Sequence, residues 1–146
     1  MKHSERIARI SGQERFPRAN RLRSPLDFAR LRRDGRRTGG ALLAVSYARR
    51  PAASDPATPD GAEPPARLGF IVSKRVGWAV VRNRVKRRLR EVVRARLTTL
   101  APGWDIVVNA RPAAAAAEYG ALAAELAALF ERAGLTHDTR DQDSRP

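Results

Sequence analysis

Apolar residues recur along this chain in short blocks, some at helical and some at strand spacing, separated by long polar stretches. Ser24-Pro25 followed by Leu26, Phe28, Ala29 and Leu31, closed by Gly35, predicts a short helix. Serine suits the N-cap, proline the first helical position and glycine the position just past the end. Residues 41–47 predict a strand rich in Leu and Val, and residues 68–73 a second one, bounded upstream by prolines. Helical spacing returns over 80–100 and stops before Pro102-Gly103, after which residues 104–109 predict a third strand opened by a core Trp104. The last element is a helix over 118–133. Tyr119, Leu122, Ala123, Leu126, Leu129, Phe130 and Ala133 share its inner face, Glu118, Glu125 and Glu131 its solvated side, and Gly134 is its stop. Helix, strands, helix, strand, helix predicts helices packed on a small sheet and leaves the strand pairing open.

Three stretches carry no such pattern. Residues 1–20 read as a basic disordered arm, residues 50–66 as a flexible Pro/Ala-rich insertion, and residues 135–146 as a disordered acidic tail. Roughly 97 residues (21–49 and 67–134) remain for one domain over 21–134, an ordinary size. No cysteine is present, which excludes disulfides, thiolate zinc sites and thiol nucleophiles. No apolar run approaches the roughly 18 residues of a membrane span, and the first residues lack the apolar stretch of a secretory signal. A cytoplasmic protein with no membrane partner is expected.

Charge sharpens the picture by where it sits. The formal net charge is +14, yet residues 1–100 hold 25 of the 29 Lys and Arg, while residues 101–146 hold four against seven acids. A basic block followed by an acidic end predicts one surface meant for a polyanion. All the basic residues but Lys2, Lys74 and Lys86 are arginines, whose planar fork suits phosphate oxygens and base faces. GC-rich coding bias accounts equally well for Arg over Lys, but not for the clustering.

The densest cluster is Arg82-Asn83-Arg84-Val85-Lys86-Arg87-Arg88-Leu89-Arg90-Glu91-Val92-Val93-Arg94. With Val85 at zero and about 100° per residue, Leu89, Val92 and Val93 fall within about 80° of it. Asn83, Arg87, Arg90 and Arg94 fall at roughly 140–200°, on the opposite side. Arg96 returns toward the apolar side and is expected at a frayed end or snorkelling. Like charges at i, i+3 and i+4 repel, and a face tuned only for solubility alternates its signs. A phosphate surface gives the repulsion a counterpart. A membrane-surface helix needs bulky apolar anchors, whereas this underside is valine required by the core.

Residues 69–90, with Gly69-Phe70-Ile71-Val72-Ser73-Lys74-Arg75-Val76-Gly77 leading into Arg82-Asn83-Arg84-x-Lys86-Arg87, closely resemble the signature of the bacterial ribonuclease P protein component. The resemblance extends to Arg21-Leu22, Asp27-Phe28 and Gly35 upstream and to Ile106-Val107-Val108-x-Ala110-Arg111-Pro112 and the last helix downstream, covering 21–134. It implies an α/β (α+β sandwich) fold, a sheet of about four strands with three helices, the basic helix on a left-handed crossover. It further implies a protein subunit of ribonuclease P, which binds the catalytic RNA and the 5′ leader of precursor tRNA and assists endonucleolytic removal of that leader. Carried over by this resemblance, Arg82, Asn83, Arg84, Lys86, Arg87 and Arg90 are RNA-subunit contacts. Phe28, Arg32, Ser46, Lys74 and Arg75 belong to the leader cleft. Arg32 and Ser46 stand where relatives often carry aromatics, and Tyr47 falls one residue along, on the other strand face. Leader binding here is therefore expected to lean on charge and guanidinium stacking more than on base–aromatic stacking. Phe28 reads as core and as cleft wall about equally, and Trp78 as a base-stacking residue or a cap on the sheet.

No catalytic constellation is visible. His3 and His137 fall in stretches read as disordered, Asp27, Asp34, Glu91 and Asp105 are scattered over different elements, and no nucleotide-loop, zincin or nucleophile-elbow motif occurs. In the family the resemblance points to, the RNA is the catalyst and binds Mg²⁺, the protein alone binds no cofactor, and one protein is expected per RNA. The alternative is an RNA-binding ribosomal or assembly protein without a role in cleavage. A DNA-binding regulator calls for a second helix before the basic one, where this sequence has a strand.

Overall fold

The computed structural model describes residues 16–51 and 63–137. Helix α1, Pro25–Asp34, begins as its sequence dictates: Ser24 is extended and its Oγ accepts a hydrogen bond from the Leu26 N–H at 3.2 Å. Its end uses glycine, but not in the left-handed conformation common just past helices. Gly35 is extended, with φ −74°, and what it supplies is room: a Cβ there would lie 2.5 Å from the Leu31 carbonyl oxygen.

Strand β1, Arg36–Gly39, is absent from the sequence reading because its four residues, RRTG, are mostly exposed and carry no apolar alternation. Only pairing with its neighbour makes it a strand. Strand β2 is Leu43–Arg49, β3 is Arg67–Val72 and β4 is Trp104–Ala110. The basic helix α2 covers Ala79–Arg94, six residues short of the expected end. Arg96 leaves helical geometry, a 3-10 turn follows over Leu97–Thr99, and Thr99 Oγ1 donates to the Arg96 carbonyl at 2.6 Å. Thr98 and Thr99 favour this local alternative over continued helix. Helix α3, Tyr119–Ala133, ends at Gly134 in the left-handed region, φ 74°, where glycine carries no Cβ penalty.

The sheet order is β1-β2-β4-β3. β1–β2 and β2–β4 are antiparallel; β3 and β4 are parallel neighbours, so α2 rides on the crossover between them. Three helices on a four-stranded mixed sheet make the expected α+β fold.

Alternation along the strands gives the sheet two faces. Leu43, Val45, Leu68, Ile106 and Val108 point to one face, where α2 supplies Val85, Leu89, Val92 and Val93 and α3 supplies Leu122, Leu126, Leu129 and Phe130. Val107 and Ile71 point to the other, under α1, where Leu31 and Leu22 close a second, smaller core. Each fully buried aliphatic side chain contributes roughly 1.5–3 kcal/mol, so the valine underside of α2 is fixed by the core and its opposite side must face out.

The ordered domain is wider than 21–134. Phe16 is buried in the main core, Asn20 Nδ2 donates to the Ala66 carbonyl at 2.8 Å, and Arg21 bridges Leu68 on β3. Residues 16–20 therefore belong to the fold and not to an arm; the rest of that arm, 1–15, lies outside the described residues. At the other end Leu135 is fully buried, Thr136 pairs with Leu100 and His137 N–H donates to the Thr99 carbonyl at 2.7 Å, so 135–137 also join the fold. Of the insertion, 52–62 lie outside the described residues, and its ends are stitched to Gly103: Arg50 N–H donates to the Gly103 carbonyl at 2.8 Å and Gly103 N–H to the Pro64 carbonyl at 2.7 Å. Among the described residues no helix is long and apolar enough to cross a membrane.

Candidate nucleic-acid interface

Burial of Val85, Leu89, Val92 and Val93 turns Asn83, Arg84, Arg87 and Arg90 to solvent. Arg82 and Lys86, closer to the apolar stripe on the wheel, are half-buried flanks, and the Arg82 Nε is buried without a protein partner. Among the described residues none of these side chains is ion-paired. Glu91, the one acid on the helix, is exposed and pairs with none of them. Arg88 is different: its Nη1 donates to the Ala117 carbonyl at 2.9 Å, tying α2 to the start of α3. The helix thus carries one structural arginine beside a set of uncommitted cations.

On the opposite sheet face α1 covers part of the strands and leaves a groove of about 200 Å³ beside it. Phe28, Arg32 and Ser46 line it together. Lys74 and Arg75 do not: they sit, exposed, in the 3-10 turn after β3 and line no part of this groove. The groove instead takes Arg37 from β1 and Asn109 from β4. Asn109 is legible afterwards as the one polar residue in an otherwise apolar stretch, Ile106-Val107-Val108-Asn109-Ala110; Arg37 becomes legible only once β1 pairs it with Ser46.

Register explains the depth. One row across the sheet runs Arg37–Ser46–Val107–Gly69 and the next Gly39–Ala44–Asn109–Ile71, so small side chains floor much of the groove. The Phe28 ring lies over Gly69, where a Cβ would come within 2.4 Å of its Cζ. Phe28 is half-buried, packing on the small core while lining the groove. Tyr47 faces the other way and meets Trp104 edge-on at 5.9 Å, while Arg49 stacks over Trp104 at 4.9 Å. Trp78, at the start of α2, is 85% exposed and does not cap the sheet.

Two acids hidden among scattered carboxylates hold these surfaces in place. Asp105 is fully buried and accepts from Arg67 Nε and Nη2 at 2.8 and 2.7 Å and from Arg30 of α1. Arg67 also reaches Asp27 at 3.4 Å, so a charge cluster pins α1, and with it Phe28 and Arg32, to β3 and β4. Glu125 is not merely solvated: its carboxylate accepts from the backbone N–H groups of Ala41, Leu42 and Leu43 at 3.0, 2.8 and 2.6 Å, ordering the β1–β2 turn. Among the described residues no three His, Cys, Asp or Glu side chains are grouped to hold a metal ion.

A family model for ribonuclease P matches residues 16–134. The chain belongs to the ribonuclease P protein family. It is 50% identical over 117 residues to the ribonuclease P protein component of Streptomyces avermitilis, covering 80% of this chain and 94% of that one. The component from Roseiflexus castenholzii is 42% identical over 131 residues, covering 86% and 98%. Among solved structures, the Staphylococcus aureus RNase P protein superposes with a TM-score of 0.68 at 25% identity, covering 82% of this chain and all of that one. The Thermotoga maritima RNase P protein gives 0.64 at 26% identity, covering 77% and 98%. The family places the chain as a protein component of an endoribonuclease complex in tRNA processing. A ribosomal or assembly role apart from cleavage is not what these relatives support.

Proposed function

We propose that this ribonuclease P protein docks on the complex's RNA through the cationic side of α2 and holds the 5′ leader of precursor tRNA in the groove between α1 and the sheet. Arg84, Arg87 and Arg90, flanked by Asn83, Arg82 and Lys86, meet the phosphates of the RNA subunit; Phe28, Arg32 and Ser46, with Arg37 and Asn109, line the path of the leader. The observation that carries this reading is the pair of opposite commitments on one helix: Arg88 is spent on the fold while Arg84, Arg87 and Arg90 are exposed and in no ion pair among the described residues. Uncompensated cations on a small domain lower the repulsion between two polyanions brought together, each phosphate contact releasing condensed counterions. Lys74 and Arg75 extend the basic surface from the turn before α2.

The RNA is the catalyst in this scheme and Mg²⁺ belongs to it. Among the described residues no three carboxylates are grouped to hold the ion, and Asp27 and Asp105 are already engaged by Arg30 and Arg67, Glu125 by backbone donors. One protein acts per RNA, in the cytoplasm. The test is precursor-tRNA cleavage at low Mg²⁺ by a bacterial ribonuclease P RNA with and without the chain. Stimulation with the RNA present and no cleavage without it is expected; activity of the chain alone, or no stimulation, refutes the proposal. Leader affinity measured across salt concentrations should fall steeply, and a flat profile would remove the cations from the groove's role.

A further inference from the structure

A second cavity, of about 450 Å³, opens at the edge of β3, between α2 and the segment that leads into α1. Its walls alternate two chemistries. Phe16, Phe28 and Phe70 supply rings, and Arg21, Arg23, Lys86 and Arg90 supply cations; no acidic side chain lines it. Phe16 is buried and meets Phe70 edge-on at 5.7 Å, so it buttresses the site, while Phe28 and Phe70 are half-buried and offer ring surface. The Phe28 ring, seated over Gly69, is the partition between this cavity and the groove on the sheet face, since it lines both. Arg21 is committed, its Nε donating to the Phe16 carbonyl at 2.8 Å. Arg23, Lys86 and Arg90 are in no ion pair among the described residues.

The backbone adds a third component. β3 is an edge strand, and among the described residues its outer edge is met only where Arg21 bridges Leu68, with Leu22 N–H donating to the Leu68 carbonyl at 2.9 Å. Peptide groups alternate in direction along a strand, so the N–H and C=O of Phe70, two residues on, point the same way as those of Leu68, outward at the cavity. Rings, an edge-strand donor and acceptor, and unpaired cations are what an unstacked nucleotide needs: a surface for its base, partners for the base edge, and countercharge for its phosphates. The volume lies in the range of roughly 300–1,000 Å³ that encloses small ligands and is far too small for a duplex.

We propose that this cavity takes a single unpaired nucleotide of the ribonuclease P RNA, with its base against Phe70 and Phe28 and its phosphates on Lys86, Arg90 and Arg23. The assignment to the RNA subunit, and not to the leader, follows from continuity: Arg90 shares the outer side of α2 with Arg87 and Lys86 flanks it, so RNA lying on that helix runs past the cavity mouth. It rests on the docking role proposed above for α2 and gives that role a point of registry that a purely electrostatic face lacks.

The test uses the full chain and a bacterial ribonuclease P RNA in the absence of precursor tRNA, with affinity measured between 50 and 400 mM salt. Phe70→Leu should weaken binding about tenfold at every salt concentration with no change of slope, because stacking releases no counterions. Arg23→Ala should instead flatten the slope by about 0.7, the contribution of one single-strand phosphate. In the unmodified chain, adenosine 5′-monophosphate should shift the aromatic NMR signals of Phe28 and Phe70 while ribose 5-phosphate leaves them in place, a readout that decides the matter should Phe70→Leu fail to fold. Equal shifts from both compounds overturn the proposal. So does a Phe70→Leu defect seen only when a leader-bearing precursor is added, which would move the occupant to the leader. Unchanged RNA affinity for folded Phe70→Leu, with Arg87→Ala still altering the slope, overturns the cavity alone; no RNA binding by the unmodified chain overturns both readings.

Discussion

Arg87 and Arg88 are adjacent, chemically identical and both on α2, yet the structure ties Arg88 to the fold and leaves Arg87 exposed, so replacing each by alanine separates fold from the proposed interface. Arg87 is exposed and in no ion pair among the described residues, whereas Arg88 Nη1 donates to the Ala117 carbonyl at 2.9 Å. Loss of one phosphate contact reduces the slope of log affinity against log salt by about 0.7–0.9. Between 50 and 200 mM salt that difference means the ratio of unmodified to Arg87→Ala affinity shrinks about threefold. Stability of Arg87→Ala should stay within roughly 0.5 kcal/mol of the unmodified chain, as for exposed sites generally. Arg88→Ala should do the reverse: the half-buried, charged hydrogen bond is worth about 1.5–3 kcal/mol, lost from the unfolding free energy, with the salt slope unchanged. Filter binding or fluorescence anisotropy across a salt series, paired with urea denaturation, reads both quantities. If Arg87→Ala leaves the affinity ratio constant with salt, or if Arg88→Ala is the variant that flattens the slope, the division of α2 into a structural and an RNA-facing side is refuted.

Other substitutions probe the supports of the groove. Asp105→Ala leaves Arg30 and Arg67 without their buried partner and should cost about 3 kcal/mol, near the low end for a broken buried pair because Asp27 remains; calorimetry should show a fall in Tm of roughly 10–20 °C. Gly69→Ala places a methyl 2.4 Å from Phe28 Cζ, so the ring must swing away at about 1–3 kcal/mol, and leader affinity should drop with it; unchanged Phe28 NMR signals would contradict this. Glu125→Ala frees three backbone N–H groups and should cost about 2 kcal/mol, with faster amide exchange at Leu43 than in the unmodified chain as the specific sign.

Most of the helical architecture was legible in the chain because it rests on local chemistry. Ser24-Pro25 can start a helix, Gly134 can end one, and the valine spacing of α2 dictates which side of it is buried whatever it packs against. The outward facing of Asn83, Arg87 and Arg90 followed from that spacing alone, and so did the opposite facing of Ser46 and Tyr47, since neighbours on a strand point to opposite faces, whereas the structural role of Arg88 did not.

What depended on contacts between distant parts of the chain was not legible. β1 has no pattern of its own and exists because β2 offers it an edge. Phe16 and Leu135 look like members of polar tails until the core they fill is assembled around them. Asp105 and Glu125 read as ordinary scattered acids; the first is buried because it meets arginines from α1 and β3, the second bound because a turn 82 to 84 residues away presents its N–H groups. The groove's membership was settled the same way, by the strand register that sets Arg37 and Asn109 beside Ser46 and leaves Lys74 and Arg75 outside. Periodicity decides which side of an element is buried; only pairing and packing across the chain decide what that side meets.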